Sequence, residues 1–418
     1  VTAQDLSATI AAFLGASGES FGNGHVVSSE AASGNLLDKL IYVNDRVTVN
    51  DKMRFSFSLG LIILDLILFP LGLFFLRKGG LPVWLKWLMV TAVAFPLMTH
   101  LSKTPIWQLG TVGSGAVIIG ASMAVAGFLV MADRSNLIRA AWIIPAAGAL
   151  FFLVDLAAGA PAQLDTIFGY TSVSGARFYG IGNLGFAMFA ASILMLAGMI
   201  AERDHYWRWV ALGAVALASF WAAAPRFGAD VGGTLAMVPV LLIFGVGLIF
   251  KKRIPWRRLP AVALAGFGVV AVLGLIELAR PVAERTHLGN FFAGWIEEPG
   301  ASAALLRRKI VSSATFGILP WGLVVPATII VLVVISRRYT QLWQGLIGRR
   351  PYFRTTLEAL IAAAIGGSVF NDSGVTVGGM VLALAVPWVF LLANQSQAAA
   401  PVQEERAAQV GGPVLSDG

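Results

Sequence analysis

The stretch FSFSLGLIILDLILFPLGLFFL, residues 55–76, determines the fold class of this chain. Asp65 is its one charged residue, and the stretch is long enough to cross the hydrocarbon core of a bilayer, which takes about 20 apolar residues in a helix. Similar stretches recur along the chain. In total, 57% of the residues are hydrophobic and 12% are charged, whereas soluble domains carry about 25% charged residues. The sequence therefore predicts an all-α, polytopic helical membrane protein.

Apolar stretches of this kind predict about 11 transmembrane helices. Their ranges are 55–76, 82–100, 110–131, 138–157, 180–200, 208–224, 231–250, 259–279, 316–335, 355–370 and 375–394. We take residues 55–394 as one transmembrane helical bundle, preceded by an exoplasmic segment at 1–54. Residues 395–418 form a small polar tail with little apolar surface to bury, so we expect this tail to be disordered.

Basic residues are concentrated in every second loop between the predicted helices. The residues of these loops are Arg77, Lys78, Arg134, Arg139, Arg203, Arg208, Lys251, Lys252, Arg253, Arg257, Arg258, Arg337, Arg338, Arg349, Arg350 and Arg354. Cytoplasmic loops are enriched in Lys and Arg, so we predict that these loops and the C-terminus are cytoplasmic and that the N-terminus lies outside. The net charge of +8 follows from the same loops, and we expect a lipid bilayer rather than nucleic acid as the partner.

Three predicted helices begin on the outer side with short polar motifs. These are ARFYGIGN (176–183), PRFGAD (225–230) and NDSG (371–374). A helix N-terminus presents N–H groups and a positive partial charge, which suit phosphate or carboxylate, and arginine suits the same anions. Simple helix capping, with Asp372 or Ser373 as an N-cap of the last helix, is the alternative for each motif. Together on one face, the motifs favour a shared anion-binding site.

The candidate site residues follow from these motifs and from the long outer loop at 280–310. The substrate-binding candidates are Arg177, Asn183, Arg226, Arg285, Asn371 and Asp372. The catalytic candidates are His287, whose unperturbed pKa of about 6.5 suits proton transfer, and Asp230; a solvated loop histidine is the alternative for His287. The chain has no cysteine, and its four histidines are scattered, so we expect neither a metal nor another cofactor.

Charged side chains near the bilayer are costly and need a local reason. Asp65 is expected either to pair with an outer arginine or with a Ser or Thr of a neighbouring helix, or to handle a proton or an ion. Asp155 lies near the outer end of the fourth predicted span. Glu277 and Arg280, at the outer end of the eighth, have the i,i+3 spacing of a local ion pair.

The first residues carry a resemblance to a known superfamily. VTAQDLSATI resembles the closing stretch of alkaline-phosphatase-superfamily domains, which often reads Thr-x-x-Asp-Leu-x-x-Thr-Ile before a short apolar helix; the matching residues are Thr2, Asp5, Leu6, Thr9 and Ile10. The layout is similar to bacterial polytopic membrane proteins in which an exoplasmic domain of this kind precedes a helical bundle. The alternative for 1–54 is an ordinary short helix with a linker.

The resemblance implies a multi-pass protein of the bacterial plasma (inner) membrane. The metal ligands and the nucleophile of that superfamily lie upstream of the matching stretch, so no phosphatase catalytic residue is assigned here. A separate phosphatase-like domain is an implied partner.

Three functions remain open on the sequence. In the first, an outward-facing polar cavity of a cell-envelope protein binds an anionic, phosphate-bearing lipid-linked or glycan substrate and transfers or hydrolyses it. In the second, the chain is a transporter or flippase that uses helices broken near Asn371–Gly374, because broken helices build substrate sites in transporters. In the third, it is a non-catalytic membrane anchor for an outer domain.

Overall fold

A computed structural model gives the structure of the chain over most of its length. It describes residues 9–15, 26–27, 34–133, 137–171, 180–224, 227–228, 230–251, 257, 259–281, 287–300, 302–304, 307, 311, 340–371 and 373–398. Within these ranges the chain is helical, with connecting turns and loops and no strand. The all-α prediction is confirmed for this part of the chain.

Twelve helices longer than one or two turns are described. They are α1 (Leu36–Arg77), α2 (Val83–Met98), α3 (Gly110–Ala132), α4 (Ile138–Ala157), α5 (Asn183–Ala201), α6 (Trp207–Ala223), α7 (Val231–Phe250), α8 (Leu259–Leu278), α9 (His287–Glu297), α10 (Thr340–Arg349), α11 (Phe353–Phe370) and α12 (Val375–Ala398). Two 3₁₀ segments, Thr99–Lys103 and Pro105–Leu109, connect α2 to α3.

Eight of the described segments are long and apolar enough to cross a membrane. They are Leu36–Arg77, Val83–Lys103, Pro105–Ala132, Ile138–Ala157, Asn183–Ala201, Gly232–Phe250, Phe353–Phe370 and Val375–Gln395. Helix α6 is apolar but shorter, and α8 covers the predicted span at 259–279. The predicted span at 316–335 lies outside the described residues. The chain is therefore a multi-pass membrane protein, and the count of 11 stays a prediction.

Helix α1 begins at Leu36 rather than near residue 55. The side chain of Asn35 accepts a hydrogen bond from the backbone N–H of Asp38, which caps the helix. The 42 residues of α1, at 1.5 Å each, give a length of about 63 Å, twice the hydrocarbon thickness of about 30 Å. The N-terminal half of α1 is thus long enough to project beyond a bilayer.

Helices α5 and α12 lie at the centre of the bundle. In each, 83% of the most apolar 18-residue window is buried by the protein, compared with 33% for the segment that contains α3. Small residues allow this close packing: a Cβ at Gly198 of α5 would lie 2.3 Å from the hydroxyl oxygen of Thr356 in α11. The N-termini of α5 and α12 also meet, since the side chain of Asn183 donates to the hydroxyl of Ser373.

The two ends of the bundle differ in chemistry. At one end, which we call the basic end, lie the described basic residues of the alternate loops, including Lys78, Lys251 and Arg350. There Arg350 pairs with Glu202, and it also donates to the side chain of Gln395. Burial raises the pKa of Glu202, and the positive charge of Arg350 opposes this effect.

The opposite end, which we call the polar end, is where α5, α7 and α12 begin. Asn183, Asp230 and Asn371 stand at these helix starts. The grouping of basic residues at one end agrees with the predicted alternation of loops. Which end faces the cytoplasm stays a prediction.

Candidate functional site

Two side-chain contacts join the three polar motifs at the polar end. The amide nitrogen of Asn183 donates to the hydroxyl of Ser373. The amide nitrogen of Asn371 lies 3.5 Å from the Oδ2 atom of Asp230. Asp230 and Asn371 are each 3% exposed, so this second contact is removed from solvent. The motifs that stand far apart in the sequence therefore form one polar cluster, which we call the helix-start cluster: Asn183, Asp230, Asn371 and Ser373.

Helix capping does not account for the polar side chains of α5 and α7. The N-cap residue of α5 is Gly182, which has no side chain, so no side-chain cap exists there. Asp230 occupies the N-cap position of α7, yet its carboxylate makes no capping hydrogen bond. Its Oδ2 instead faces Asn371 of the neighbouring α11–α12 turn. These side chains thus serve contacts between helices, which is the arrangement that a shared site requires.

Backbone segments approach each other closely around this cluster because glycines stand at the contacts. A Cβ at Gly232 would lie 2.5 Å from the carbonyl oxygen of Phe370, so the start of α7 lies directly against the end of α11. The backbone N–H of Ile181 donates to the carbonyl of Gly228 at 2.8 Å, which ties the entry of α5 to the α6–α7 turn. Four segments of the chain are therefore held together at the polar end.

The α6–α7 turn is folded back on α6. The ring of Phe227 stacks on that of Trp221, with centroids 4.3 Å apart and planes 2° apart. The backbone N–H of Asp230 donates to the carbonyl of Ala222 at 3.0 Å. These contacts fix the position of Asp230 before the first turn of α7, so its carboxylate is held toward α11.

The loop at 158–171 adds further hydrogen bonds next to the helix-start cluster. Asp155 accepts hydrogen bonds from the backbone N–H of Ala162 at 2.7 Å and from the side-chain amide of Gln163 at 2.9 Å. The carbonyl oxygen of the Gln163 side chain in turn accepts from the backbone N–H of Gly182 at 3.2 Å. Asp155 is thereby connected, through one buried amide, to the residue before Asn183.

The same loop is bound to the N-terminal half of α1. Arg46 forms an ion pair with Asp165 at 2.9 Å. The side-chain amide of Asn50 donates to the carbonyl of Asp165 at 2.8 Å. Asp165 has a φ of 60°, a left-handed conformation that is uncommon for a residue other than glycine. These tertiary contacts hold the loop in a conformation that it would seldom adopt by itself.

The sequence did not single out Arg46, Asn50, Gln163 or Asp165. One signal was present in the sequence: Gln163 and Asp165 stand in a mostly apolar connection. In the structure their side chains are buried, with 0% and 3% of each residue exposed. Buried polar groups of this kind need hydrogen-bond partners. Their partners come from α1 and α4, which no sequence spacing relates to this loop.

The predicted site residues divide into two groups. Asn183, Asp230 and Asn371 are brought together. Four residues, Arg177, Arg226, Arg285 and Asp372, lie outside the described residues. His287 is the first residue of α9, and its side chain is likewise outside the described part of the structure.

The predictions for the charged residues near the bilayer, Glu277, Arg280 and Asp65, can be compared with the structure one by one. Glu277 and Arg280 form the expected i,i+3 ion pair at 3.1 Å. The Oδ1 atom of Asp65 is buried and has no hydrogen-bond partner among the described residues. The pairing that we considered for Asp65 is thus not found in that part of the chain.

Within the described ranges, no three His, Asp or Glu residues are grouped so that they could hold a metal ion. No protein-family model, no curated protein and no solved structure matches this chain. Functional conclusions therefore depend on the geometry of the structure.

Proposed function

We propose that this membrane protein binds an anionic, phosphate-bearing lipid-linked or glycan substrate at the polar end and transfers or hydrolyses it. The observation that supports this proposal is the helix-start cluster. Three helices begin at one place, polar side chains near their starts contact each other, and α5 and α7 have no side-chain cap. The inner membrane of a bacterial envelope, with the polar end outward, is part of the proposal.

The electrostatics of the helix starts favour an anion. Each helix N-terminus carries a partial positive charge of about half an elementary charge, and its first N–H groups have no acceptor within the helix. The first N–H groups of α5 and α7 point toward the polar end, where these helices begin, and the N-cap residues bond none of them with a side chain. Arg177 and Arg226, which precede these two helices in the sequence, add the charge that a phosphate group requires.

The roles of the polar side chains follow from their chemistry. Asn183 and Asn371 each offer an amide that can both donate to and accept from a glycan hydroxyl or a phosphate oxygen. Asp230, as a carboxylate, would accept the proton of an attacking hydroxyl group, and His287 is the second candidate for this role. Arg285 is proposed as a further substrate contact, and Asp372 as a group that orients the substrate.

Binding of a polyprenyl phosphate to the purified full chain tests the proposal. We expect Arg177→Ala, Arg226→Ala and Asn371→Ala to weaken binding each by about tenfold, because a hydrogen bond to a charged group contributes about 1.5–3 kcal/mol. The matched control is Arg280→Ala, since Arg280 is already paired with Glu277 near the same end. Unchanged affinity in all three test variants, or an equal loss in the control, would overturn the shared anion site.

A transporter is the second candidate, and one observation favours it. The buried Oδ1 of Asp65 lacks a hydrogen-bond partner among the described residues, and intramembrane carboxylates of this kind are common in proton and ion pathways. Proton flux into proteoliposomes under an imposed pH gradient measures this function. Flux that Asp65→Asn abolishes and that the exposed control Asp51→Asn preserves would support a transporter; flux equal to that of empty liposomes would exclude proton transport.

A further inference from the structure

A cavity of about 500 Å³ opens at the basic end, away from the helix-start cluster. It lies where the turn between α1 and α2 meets the C-terminal part of α12. Its walls include Lys78, Lys86, Gly79, Gly80 and Asn394. Because α1 and α2 are both candidate membrane spans, a turn between them stands at the level of the membrane–water interface.

The turn that forms one wall is fixed by its own hydrogen bonds. The backbone N–H of Gly80 donates to the carbonyl of Phe75 at 3.1 Å, and that of Gly79 donates to Leu76 at 3.2 Å. This pair of bonds ends a helix with glycine in a left-handed conformation, and Gly79 has a φ of 103°. These bonds define the path of the turn, and because both residues are glycines, no side chain of residue 79 or 80 fills the cavity.

Another wall of the cavity comes from the C-terminal part of α12. The side-chain oxygen of Asn394 accepts a hydrogen bond from the backbone N–H of Leu81 at 2.7 Å. Asn394 is 4% exposed, so this bond is shielded from water. It fastens α12 to the start of α2 and leaves the amide nitrogen of Asn394 as a donor at the cavity wall.

The charges at the cavity are positive, with one acidic neighbour. Lys86 is 9% exposed, and the carboxylate of Asp133 attracts its ammonium group. Lys78 is exposed, and its ammonium nitrogen lies 4.6 Å from the centre of the Phe74 ring. Two lysines and one aspartate give a net charge of about +1.

We propose that this cavity binds the phosphate group of an anionic ligand at the membrane interface. Two lysines and an asparagine amide around one opening are donors that a phosphate group uses. Basic pockets between membrane helices bind the headgroups of acidic lipids. A phosphate can belong to such a headgroup or be free in solution, and the experiment separates the two. The site is independent of the substrate proposed for the polar end.

The test measures binding of phosphatidylglycerol to the purified full chain in phosphatidylcholine nanodiscs, by native mass spectrometry. We expect wild type to retain phosphatidylglycerol in preference to phosphatidylcholine. Lys78→Gln and Lys86→Gln should each weaken this binding about fivefold, the effect of one lysine at an anionic surface. Lys251→Gln is the matched control, because Lys251 is an exposed lysine at the same end that does not line the cavity.

If Lys86→Gln impairs folding, Lys78→Gln still tests the proposal. Lys78 is exposed, so its replacement leaves the packing intact. A second arm titrates inorganic phosphate against chloride at equal ionic strength and follows thermal unfolding. Stabilisation by phosphate that Lys78→Gln removes identifies a free phosphate as the ligand, whereas an effect confined to phosphatidylglycerol identifies a lipid headgroup. Equal retention of the two lipids without stabilisation by phosphate, unchanged binding in Lys78→Gln, or an equal loss in Lys251→Gln would overturn the proposal.

Discussion

The carboxylate of Asp230 faces the side-chain amide of Asn371 at 3.5 Å, although 141 residues separate the two in the chain. Asp230 stands at the start of α7, and Asn371 stands at the turn between α11 and α12. Each is 3% exposed, so the contact is made inside the protein. It links two of the three sequence motifs that we expected to share a site, and it lies where α7 meets the turn between the last two helices.

A double-mutant cycle on Asp230 and Asn371 measures this contact. We expect Asp230→Ala and Asn371→Ala each to lower the free energy of unfolding by about 1–3 kcal/mol, because each leaves a buried polar group with fewer partners. The coupling energy between the two should be about 0.5–3 kcal/mol. Thermal and denaturant unfolding of the purified protein in detergent provide the measurement. Strictly additive effects would show that the two side chains do not interact.

Replacement of Gly232 tests the close approach of α7 to α11. In Gly232→Ala the new Cβ would lie 2.5 Å from the carbonyl oxygen of Phe370, so the helices must separate. We expect a loss of about 1–3 kcal/mol in the free energy of unfolding. The matched control is Gly213→Ala in α6, where no atom lies within 4 Å of the added Cβ.

Alanine is a better helix former than glycine, by up to about 1 kcal/mol. Gly213→Ala should therefore leave the melting temperature unchanged or raise it, while Gly232→Ala lowers it. Equal effects of the two substitutions would contradict the packing described for the polar end.

The loop at 158–171 should lose protection when Asp155 is replaced. Asp155→Ala removes the acceptor for both the Ala162 backbone and the Gln163 side chain. Hydrogen exchange followed by mass spectrometry should show faster exchange in the peptide that covers this loop. Asp45→Ala is the control, since Asp45 is an exposed aspartate of α1, and exchange in the loop should then equal that of wild type.

The pH dependence of stability should report the burial of Glu202. Burial raises its pKa above the usual value of a glutamate carboxyl, and the positive charge of Arg350 opposes the rise. A raised pKa means that the folded protein holds this proton more tightly, so the stabilising contribution is present below about pH 4.5 and is lost as the pH rises through the folded pKa.

Glu202→Gln does not titrate at this position and serves as the reference. The free energy of unfolding of wild type minus that of Glu202→Gln should decrease as the pH is raised through that window. Unfolding curves at a series of pH values measure this difference. A difference that is flat or that increases with pH would contradict a raised pKa.

Single cysteines test the predicted orientation, since the chain has no cysteine of its own. Asp51 projects from α1 at the polar end, and Lys251 follows α7 at the basic end; both are exposed. A membrane-impermeant thiol reagent added to intact cells should label Asp51→Cys and spare Lys251→Cys until the cells are opened. Labelling of Lys251→Cys alone in intact cells would reverse the orientation.

The sequence alone determined that the chain crosses a membrane as helices. A stretch such as 55–76 is stable in a bilayer as a helix, because a helix bonds each of its backbone polar groups within the segment. Spans beginning near residues 138 and 375 were therefore predicted close to their observed starts. Local ion pairs such as Glu277 and Arg280 were predictable too, since helical spacing by itself brings them together.

Only the tertiary structure decided which polar residues meet. Asn183 and Ser373, or Arg46 and Asp165, are joined by packing between helices that no spacing in the sequence encodes. The apolar composition of every span drives each helix into the membrane, but it does not select which helices become its neighbours. Neighbours are selected by small residues that permit close approach and by buried polar groups that need partners, and those conditions are satisfied only when the whole bundle is assembled.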